Sequence, residues 1–482
     1  MAARTTLVAR VPPFRRPERT WVLGLAAAWL GIEIVEAVDP SAPALPGPPA
    51  WTVLRLAGGE DAREVALPEL LFSVAGDSWL TTPTSAPLSP LARTTVPPTA
   101  SGDTSHTSLP VLFGTDVQSS APWIDHGTRI DVTVDVLGSM FWLLARCEEV
   151  ISTARDDHLR FPFEASLAAS EGFVDRPLAD EYAALLGAAI SARWPELPHP
   201  TAPTPLRLRL THDIDTPFAA WGRPARVVAR SIIGDLVRRH DPVLATARTR
   251  AILDARSGRV DRDPLATMDA LMDVAERQGL TSQFYFMAGT DPSHADFRYR
   301  VDDPPFAAIL RRIHERGHDI GLHAGYATAD RPEVLRDELQ SLKSACRSAG
   351  IERESWGVRQ HFLRWRWPDT ARAHESLGLA HDSTIGFAEV IGFRAGTCHE
   401  YQLFDPVERR PMALSERPLI VMDTTLFEYM GLDRGTAAAR ARDLISRCKP
   451  TGGEAVLLVH NDRVAGRRDM GWYRELVAGL VR

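Results

Sequence analysis

The chain has 482 residues, 44% of them hydrophobic, which is enough for a large buried core and two or three domains. Its formal net charge of −7 argues against general electrostatic binding to nucleic acid or to an anionic membrane surface. Four cysteines are present, Cys147, Cys346, Cys398 and Cys448, and none belongs to a C-x-x-C pair. We therefore expect no disulfide framework and a reducing, cytoplasmic setting.

The first apolar segment, WVLGLAAAWLGIEIVEAV (21–38), is too short to cross a membrane. Its uninterrupted part ends after about a dozen residues, before Glu33 and Glu36, whereas a spanning helix needs roughly 20. No clear cleavage site for a signal peptide follows it. We expect a buried amphipathic helix and no membrane span.

A proline-rich run, PELPHPTAPTP (195–205), predicts a domain boundary. Before it, residues 81–110 are rich in Pro, Ser and Thr and predict a long loop. Residues 131–151 and 177–194 carry the apolar periodicity of helices. We assign residues 1–200 to a mixed α/β N-terminal domain of unknown role.

In the second domain, residues 205–482, predicted strands alternate with predicted helices. The helices include DPLATMDALMDVAERQG, capped by Asp263, then PPFAAILRRIHERG and DRPEVLRDELQSLKSACRSAG. The strands include LRLRL, TSQFYFMAG, HDIGLH, WGVRQHF, LIVMDTTL and AVLLVH. This alternation predicts a parallel sheet or a β/α barrel, with the chemistry at the carboxyl ends of the strands. Residues 218–262 give no clear prediction.

Several common sites are excluded by motif. The sequence has no G-x-G, no Walker A loop and no G-x-S-x-G. His314 and His318 match H-E-x-x-H, but Gly317 ends the predicted helix and His318 opens the next strand. The two histidines should therefore diverge, and no zinc-protease site is expected.

The first strand ends in THDID, with two carboxylates two residues apart. Alternate residues of a strand share a face, so Asp213 and Asp215 point one way and His212 the other. Two carboxylates this close are unfavourable unless a cation or a proton lies between them. A solvated polar strand end is the alternative.

Other predicted strands also end in residues that can carry chemistry. Each of these alone is more often a hydrogen-bonded structural residue, but their recurrence favours a shared cleft. They are His323, Arg359, His361, Asp382, Asp423 and His460.

The second domain resembles the polysaccharide deacetylase family, and the order of its motifs carries the resemblance. THDID resembles the first motif of that family, GLHAGYAT the second, GVRQHF the strand with a conserved arginine, and VLLVH the last. The resemblance implies an irregular β/α barrel. It also implies a metal-dependent hydrolase that removes N-acetyl groups from amino-sugar polymers.

The same resemblance implies a role for each matching residue. Asp213 would be the catalytic base, and Asp215 and His323 metal ligands. Arg359 would orient the base, and His460 would protonate the leaving amine. Two earlier segments, SMFWLLARCEEV and RFPFEASLAASEGFVDRPLADE, resemble an uncharacterised N-terminal domain of a bacterial subgroup.

One position departs from the family pattern. The second motif normally supplies two histidines four residues apart, and the second position here is Ala327. A catalytic divalent metal, zinc being the expected one, usually keeps three protein ligands. His361, at the end of a neighbouring strand, is the expected substitute, whereas His212 should point away. The alternative is a degenerate site without metal.

The expected function is metal-dependent removal of N-acetyl groups from a carbohydrate. A metal-dependent amidase for a small non-sugar amide is one alternative, and a catalytically inactive carbohydrate-binding protein is another. Trp365 and Trp367 either offer a platform for a sugar ring or belong to the core. The sequence predicts no nucleic-acid partner and leaves the oligomeric state open.

Overall fold

The computed structural model describes residues 6–41, 49–58, 61–82, 84–95, 108–115, 121–197, 205–289 and 299–481. Most of the predicted boundary, residues 198–204, lies outside these ranges. Within them, no helix has both the length and the apolar character needed to span a bilayer.

The N-terminal half contains a six-stranded mixed sheet and five helices. The strands are β1 (Thr6–Val11), β2 (Glu33–Val38), β3 (Ala50–Leu56), β4 (Glu64–Glu69), β5 (Ala92–Thr95), β6 (Ser108–Val111), β7 (Trp123–Asp125) and β8 (Arg129–Val132). Six of them pair in the order β2-β1-β3-β4-β8-β7, and β5 pairs separately with β6. The helices are α1 (Arg16–Leu30), α2 (Val136–Leu144), α3 (Cys147–Ile151), α4 (Leu167–Ser170) and α5 (Leu178–Arg193).

Three predicted elements of this half have boundaries that differ from those in the structure. Helix α1 ends at Leu30 because Gly31 is left-handed (φ 65°) and its N–H bonds back to the helix, so Glu33 and Glu36 lie in strand β2. The helix predicted over 131–151 is split because Arg146 has a positive φ of 51°. The loop predicted over 81–110 contains strands β5 and β6, and residues 83 and 96–107 lie outside the described ranges.

The C-terminal half forms a nine-stranded sheet with helices. The strands are β9 (Arg207–Ile214), β10 (Ser282–Phe286), β11 (Asp319–Ala324), β12 (Gly357–Gln360), β13 (His381–Asp382), β14 (Tyr401–Asp405), β15 (Arg410–Glu416), β16 (Leu419–Met422) and β17 (Glu454–Leu458). Their order is β14-β15-β13-β12-β11-β10-β9-β17-β16, and β14 alone runs antiparallel to its neighbour. The helices are α6 (Ala225–Val237), α7 (Pro242–Arg256), α8 (Met268–Glu276), α9 (Pro304–Glu315), α10 (Pro332–Ser348), α11 (Asp369–Ser376), α12 (Arg434–Ser446) and α13 (Arg467–Val481).

This sheet is strongly curled. Strand β12 lies three positions from β9, which is about 14 Å in a flat sheet. Arg359 of β12 nevertheless donates a hydrogen bond to Asp213 of β9 over 3.0 Å. The predicted α/β class with parallel strands is therefore confirmed. In place of a closed barrel, the described strands form an open, curled sheet, and an irregular segment after β13 bonds to β16 through Leu419 N–H and Ile385 O (3.0 Å).

The two halves pack against each other over a continuous hydrophobic core. Buried polar contacts cross the junction, including the ion pair of Glu149 with Arg394 (2.8 Å) and the bond from Trp367 Nε1 to Ala145 O (3.0 Å). No described strand pairs across it. Independent folding of residues 1–200 stays a prediction.

Asp263 was predicted to cap a helix, and the structure uses it differently. Its carboxylate accepts the N–H groups of Ala219 (2.8 Å) and Leu265 (2.9 Å), and α8 begins only at Met268. Asp263 thus links the two ends of the segment that contains α6 and α7. This segment is the one for which the sequence gave no clear secondary-structure prediction.

Candidate metal centre and active site

Strand β9 divides its polar residues between two faces, as its alternation predicts. Asp213 and Asp215 point to the inner, concave side of the sheet and line one cavity. His212 points outward, where Nδ1 lies 2.8 Å from Val459 O and the ring packs on Phe284. Burial lowers the pKa of His212 to about 4, so this histidine is a neutral core residue.

Asp215 and His323 have the geometry of two ligands of one cation. Asp215 Oδ1 and His323 Nε2 are both buried and 3.2 Å apart, and beyond this contact with each other neither atom has a hydrogen-bond partner in the described ranges. Two ligands about 2.0–2.1 Å from a tetrahedral zinc ion lie roughly 3.3 Å from each other. Buried polar atoms normally have partners, so this unpartnered pair fits a cation between them.

The hydrogen bond of His323 Nδ1 determines which ring nitrogen can bind a cation. Nδ1 lies 3.0 Å from the carbonyl oxygen of Arg359, an acceptor, so Nδ1 carries the proton and Nε2 has the free lone pair. Burial lowers the pKa of His323, but Asp213 and Asp215 outweigh it and raise the pKa. The proton that these carboxylates attract to Nε2 occupies the position that a cation would take.

His361 completes a group of three. One ligand atom from each of Asp215, His323 and His361 lies within 4.8 Å of the other two. His361 Nε2 is 3.9 Å from Asp215 Oδ2. The residue directly follows β12, in a turn where Phe362 and Leu363 have positive φ, and this turn carries the imidazole to the inner side.

Asp213 is held by Arg359. The buried guanidinium donates from Nη1 to Asp213 Oδ1 (3.0 Å) and to Thr211 Oγ1 (2.9 Å). It also donates from Nε to the carbonyl of Ser383 (2.8 Å), and it lies over the ring of Tyr285. These bonds fix the guanidinium, and its charge-assisted bond to Asp213 sets the orientation of that carboxylate.

His460 faces Asp215 across the cavity and is backed by Asp423. Its Nε2 is 3.9 Å from Asp215 Oδ2, and its Nδ1 is 2.6 Å from Asp423 Oδ1. Asp423 Oδ2 also accepts the backbone N–H of His460 (2.9 Å). Burial lowers the pKa of His460, but Asp423, with Asp215 and Asp213, raises it to about 10. Asp423 was identified in sequence only as a strand end, without this partner.

These groups line a cavity of about 310 Å³. Sequence reasoning missed part of its wall, including Arg160 from the N-terminal half, which donates to Phe362 O (2.8 Å). The lining residues are Arg160, Asp213, Asp215, His323, Gln360, His361, Phe362, Leu363, Ala388, Met422, Thr424, Glu428, Tyr429, His460, Asp462 and Arg463. The aromatic side chains among them are Phe362, which is half-buried, and Tyr429, which is 46% exposed.

Other sequence candidates lie elsewhere. Trp365 and Trp367 are both buried and stacked on each other, so the sugar-platform interpretation is wrong and the core interpretation holds. Asp382 is buried beside His374 Nδ1 (3.0 Å), outside the cavity lining.

The H-E-x-x-H match is not a site. His314 is exposed on α9, whereas His318 is buried and its Nδ1 accepts the N–H of Ser282 (2.9 Å). The two histidines diverge as predicted, because Gly317 is left-handed (φ 76°).

A second buried group of potential ligands lies where the two halves meet: Asp180 of α5 with Cys398 and His399. Its oxygens are already occupied. Asp180 Oδ1 accepts from Thr397 Oγ1 (2.5 Å), and Oδ2 accepts from the N–H (3.2 Å) and the thiol (3.3 Å) of Cys398. We interpret Asp180 as the anchor of the 397–399 loop.

One family model matches the chain, that of a family of unknown function, DUF7033, over residues 90–195. The match includes both segments for which an uncharacterised N-terminal domain was predicted, and it includes Arg160. It is shorter than the predicted domain of residues 1–200. No curated protein matches the sequence.

The comparison with solved structures finds three similar proteins at low identity. The first, classed as a polysaccharide deacetylase from Mycobacterium smegmatis, is 18% identical, covering 58% of this chain and 86% of that one (TM-score 0.38). Another so classed, from Pseudomonas aeruginosa PAO1, is 13% identical, covering 57% and 83% (TM-score 0.35). The third, Puue allantoinase, is 12% identical, covering 58% and 87% (TM-score 0.36).

Proposed function

We propose that this protein is a metal-dependent hydrolase that removes the N-acetyl group from an amino-sugar-containing carbohydrate. One observation carries the proposal. Asp215 Oδ1 and His323 Nε2 lie 3.2 Å apart with no other hydrogen-bond partner among the described residues, between a carboxylate held by arginine and a histidine held by a carboxylate. A metal-dependent hydrolase of amides uses this combination of cation, base and acid.

Asp215, His323 and His361 are the proposed ligands of a divalent metal. Two imidazoles and one carboxylate are a donor set that suits zinc, and three protein ligands leave room for a substrate. When bound, the metal would polarise the carbonyl of the acetamide and assist the attack of water. His361 would replace the histidine that the family pattern places at Ala327.

The protein's own side chains move the protons. Asp213, held in place by Arg359, would accept a proton from the attacking water. His460, in the lining of the same cavity, would donate its Nε2 proton to the departing amine nitrogen. Asp423 would hold the His460 ring in place and stabilise its charged form. A cation at Asp215 would weaken the contribution of Asp215 to the pKa of His460 and leave Asp423 as the main partner.

The substrate class rests on the sequence resemblance and on the size of the cavity. A volume of about 310 Å³ is at the small end for ligand pockets, which suits one N-acetylated sugar ring better than several. Tyr429 and Phe362 would provide the apolar surface beside that ring.

The proposal is tested with chelator-treated protein and a panel of acetylated substrates. We expect release of free amine from N-acetylated oligosaccharides to vanish on metal removal and to return with zinc. Acetamides without a sugar should react poorly. Equal rates on both substrate classes would favour a general amidase. Activity without metal, or full-length protein that binds no metal, would contradict the proposal.

A further inference from the structure

The helices α6 and α7 expose an unusual share of apolar side chains. Thirteen large hydrophobic side chains are exposed in the part of the chain that the structure describes, and five lie on these two helices. They are Ile233, Leu236, Val237, Val243 and Leu253, each between 48% and 65% exposed. Exposed apolar residues gathered in one place, rather than scattered singly, mark an interaction surface.

Four of the five surround the turn between the helices, and we call Ile233, Leu236, Val237 and Val243 the apolar tip. These four side chains do not belong to the contact between the two helices, because α6 and α7 already pack against each other through other residues. Asp235 of α6 forms a buried ion pair there with Arg248 of α7 (2.5 Å).

The same segment is strongly basic. Residues 223–262 contain ten arginines and four aspartates, a net charge of +6 in a chain of net charge −7. Six of these arginines are exposed and form no ion pair with any described carboxylate: Arg226, Arg230, Arg238, Arg250, Arg256 and Arg262. The overall negative charge, which argued against an anionic membrane partner, therefore conceals a local basic surface.

We propose that the α6–α7 hairpin docks the protein on the surface of an anionic lipid bilayer. The apolar tip would enter the boundary between headgroups and acyl chains, and the exposed arginines would contact the lipid phosphates. An apolar tip on a hairpin that also carries exposed arginines suits a lipid surface, which offers acyl chains and phosphates over its whole area.

The base of the hairpin lies beside the candidate active site. The segment leaves the sheet directly after Asp215, and Asn461 fastens both of its ends. Asn461 Nδ2 donates to Thr216 O (2.8 Å) and to Leu265 O (3.0 Å), and Asn461 is the neighbour of His460. Docking by the tip would therefore hold the cavity about one helix length, roughly 20 Å, from the membrane surface. If the proposed function holds, the substrate would be an acetylated amino sugar presented at a lipid surface.

The test is sedimentation of the full-length protein with vesicles of phosphatidylcholine, alone or with about one third phosphatidylglycerol. We expect binding to the anionic vesicles only, and weaker binding at high salt. Arg226→Gln with Arg230→Gln should weaken it roughly thirtyfold. Ile233→Ser with Val237→Ser should weaken it about tenfold or more.

Matched variants elsewhere on the surface control for general effects. Val35→Ser with Val38→Ser removes two apolar side chains of similar exposure, and Arg277→Gln with Arg336→Gln removes two exposed charges. Both should bind like the unaltered protein. Absence of binding, equal binding to uncharged vesicles, or equal loss in the controls would overturn the proposal.

A change of oligomeric state in the tip variants without vesicle binding would overturn it in favour of a second copy. Failure of the membrane proposal can be distinguished from failure of the proposed function. Hairpin variants should keep their metal and their activity on unanchored oligosaccharides, whereas failure of the metal site would leave vesicle binding unchanged.

Discussion

Two buried groups of potential metal ligands in the described structure differ in one respect. In both, ligand atoms from three residues lie within 4.8 Å of one another. At the sheet, the facing atoms of Asp215 and His323 contact each other but have no further hydrogen-bond partner among the described residues. At the junction of the halves, Thr397 and Cys398 occupy the carboxylate of Asp180. Unsatisfied lone pairs, and not the nearness of ligand-type residues, therefore distinguish a cation site from a structural anchor.

The sharpest test exchanges one carboxylate in each group for its amide. Asp215→Asn should remove the bound metal and reduce amine release by roughly 10³-fold or more, because the only anionic ligand is lost. Asp180→Asn should leave metal content at about one equivalent per chain. Elemental analysis of both proteins measures this. Loss of metal from the Asp180 variant alone would show that the metal binds at the junction of the halves and not at the sheet.

A second variant separates catalysis from metal binding within the first group. His460→Ala should lower kcat by roughly 10²–10⁴, the usual effect of losing a positioned acid, while the metal stays bound. Asp213→Ala should act in the same range as the loss of the base. Steady-state kinetics and elemental analysis together check this. Metal loss in the His460 variant would place that residue among the ligands.

The pairing of His460 with Asp423 predicts a change in the pH profile. In the proposed reaction His460 acts while protonated, so activity should fall as pH rises through its pKa. Asp423 is the largest of the groups that raise this pKa, and Asp423→Asn should therefore move the alkaline limb of kcat/KM to lower pH. Glu428→Gln, on the same cavity wall, is the control and should leave the limb in place. An unchanged limb in the Asp423 variant would show that another group is the acid.

The sequence predicted the inner face of the site because that face depends on local rules. Strand alternation places Asp213 and Asp215 on one side and His212 on the other. Parallel strands bring their carboxyl ends to one edge, which carries His323 and His460 to the same cavity. These predictions required no knowledge of distant contacts.

The rest of the site depends on contacts between distant segments. Arg160 reaches the cavity only because the two halves pack together, and no periodicity shows this. The pairing of Asp423 with His460 follows from β16 lying beside β17, an order that strand prediction does not give. The break at Arg146 was missed because a positive φ in arginine has no sequence signal.

A substitution in the group at the junction, that of Asp180, should change the stability of the protein, whereas substitutions in the group at the sheet should change metal binding and catalysis. In Asp180→Asn, one of the two donors, the Thr397 hydroxyl or the Cys398 N–H, loses its acceptor. The free energy of unfolding should fall by about 1–3 kcal/mol, the usual cost of an unpaired buried polar group. Urea unfolding measures this, with kcat unchanged. Asp443→Asn, in an exposed ion pair, should cost less than about 1 kcal/mol.

The smallest effect is expected at Ala327, the position where the family pattern has its second histidine. Ala327 lies in the turn Tyr326–Ala329 after β11, which Thr328 fixes by donating to Gln360 Oε1 (2.9 Å). His361 already lies within reach of Asp215 and His323. Ala327→His should therefore change metal affinity by less than about threefold, whereas His361→Ala should lower it by roughly 10²-fold. Competition with a chromogenic chelator measures both. A sharp gain of affinity in Ala327→His would mean that the triad is incomplete without it, and the first group would then be no better a cation site than the second.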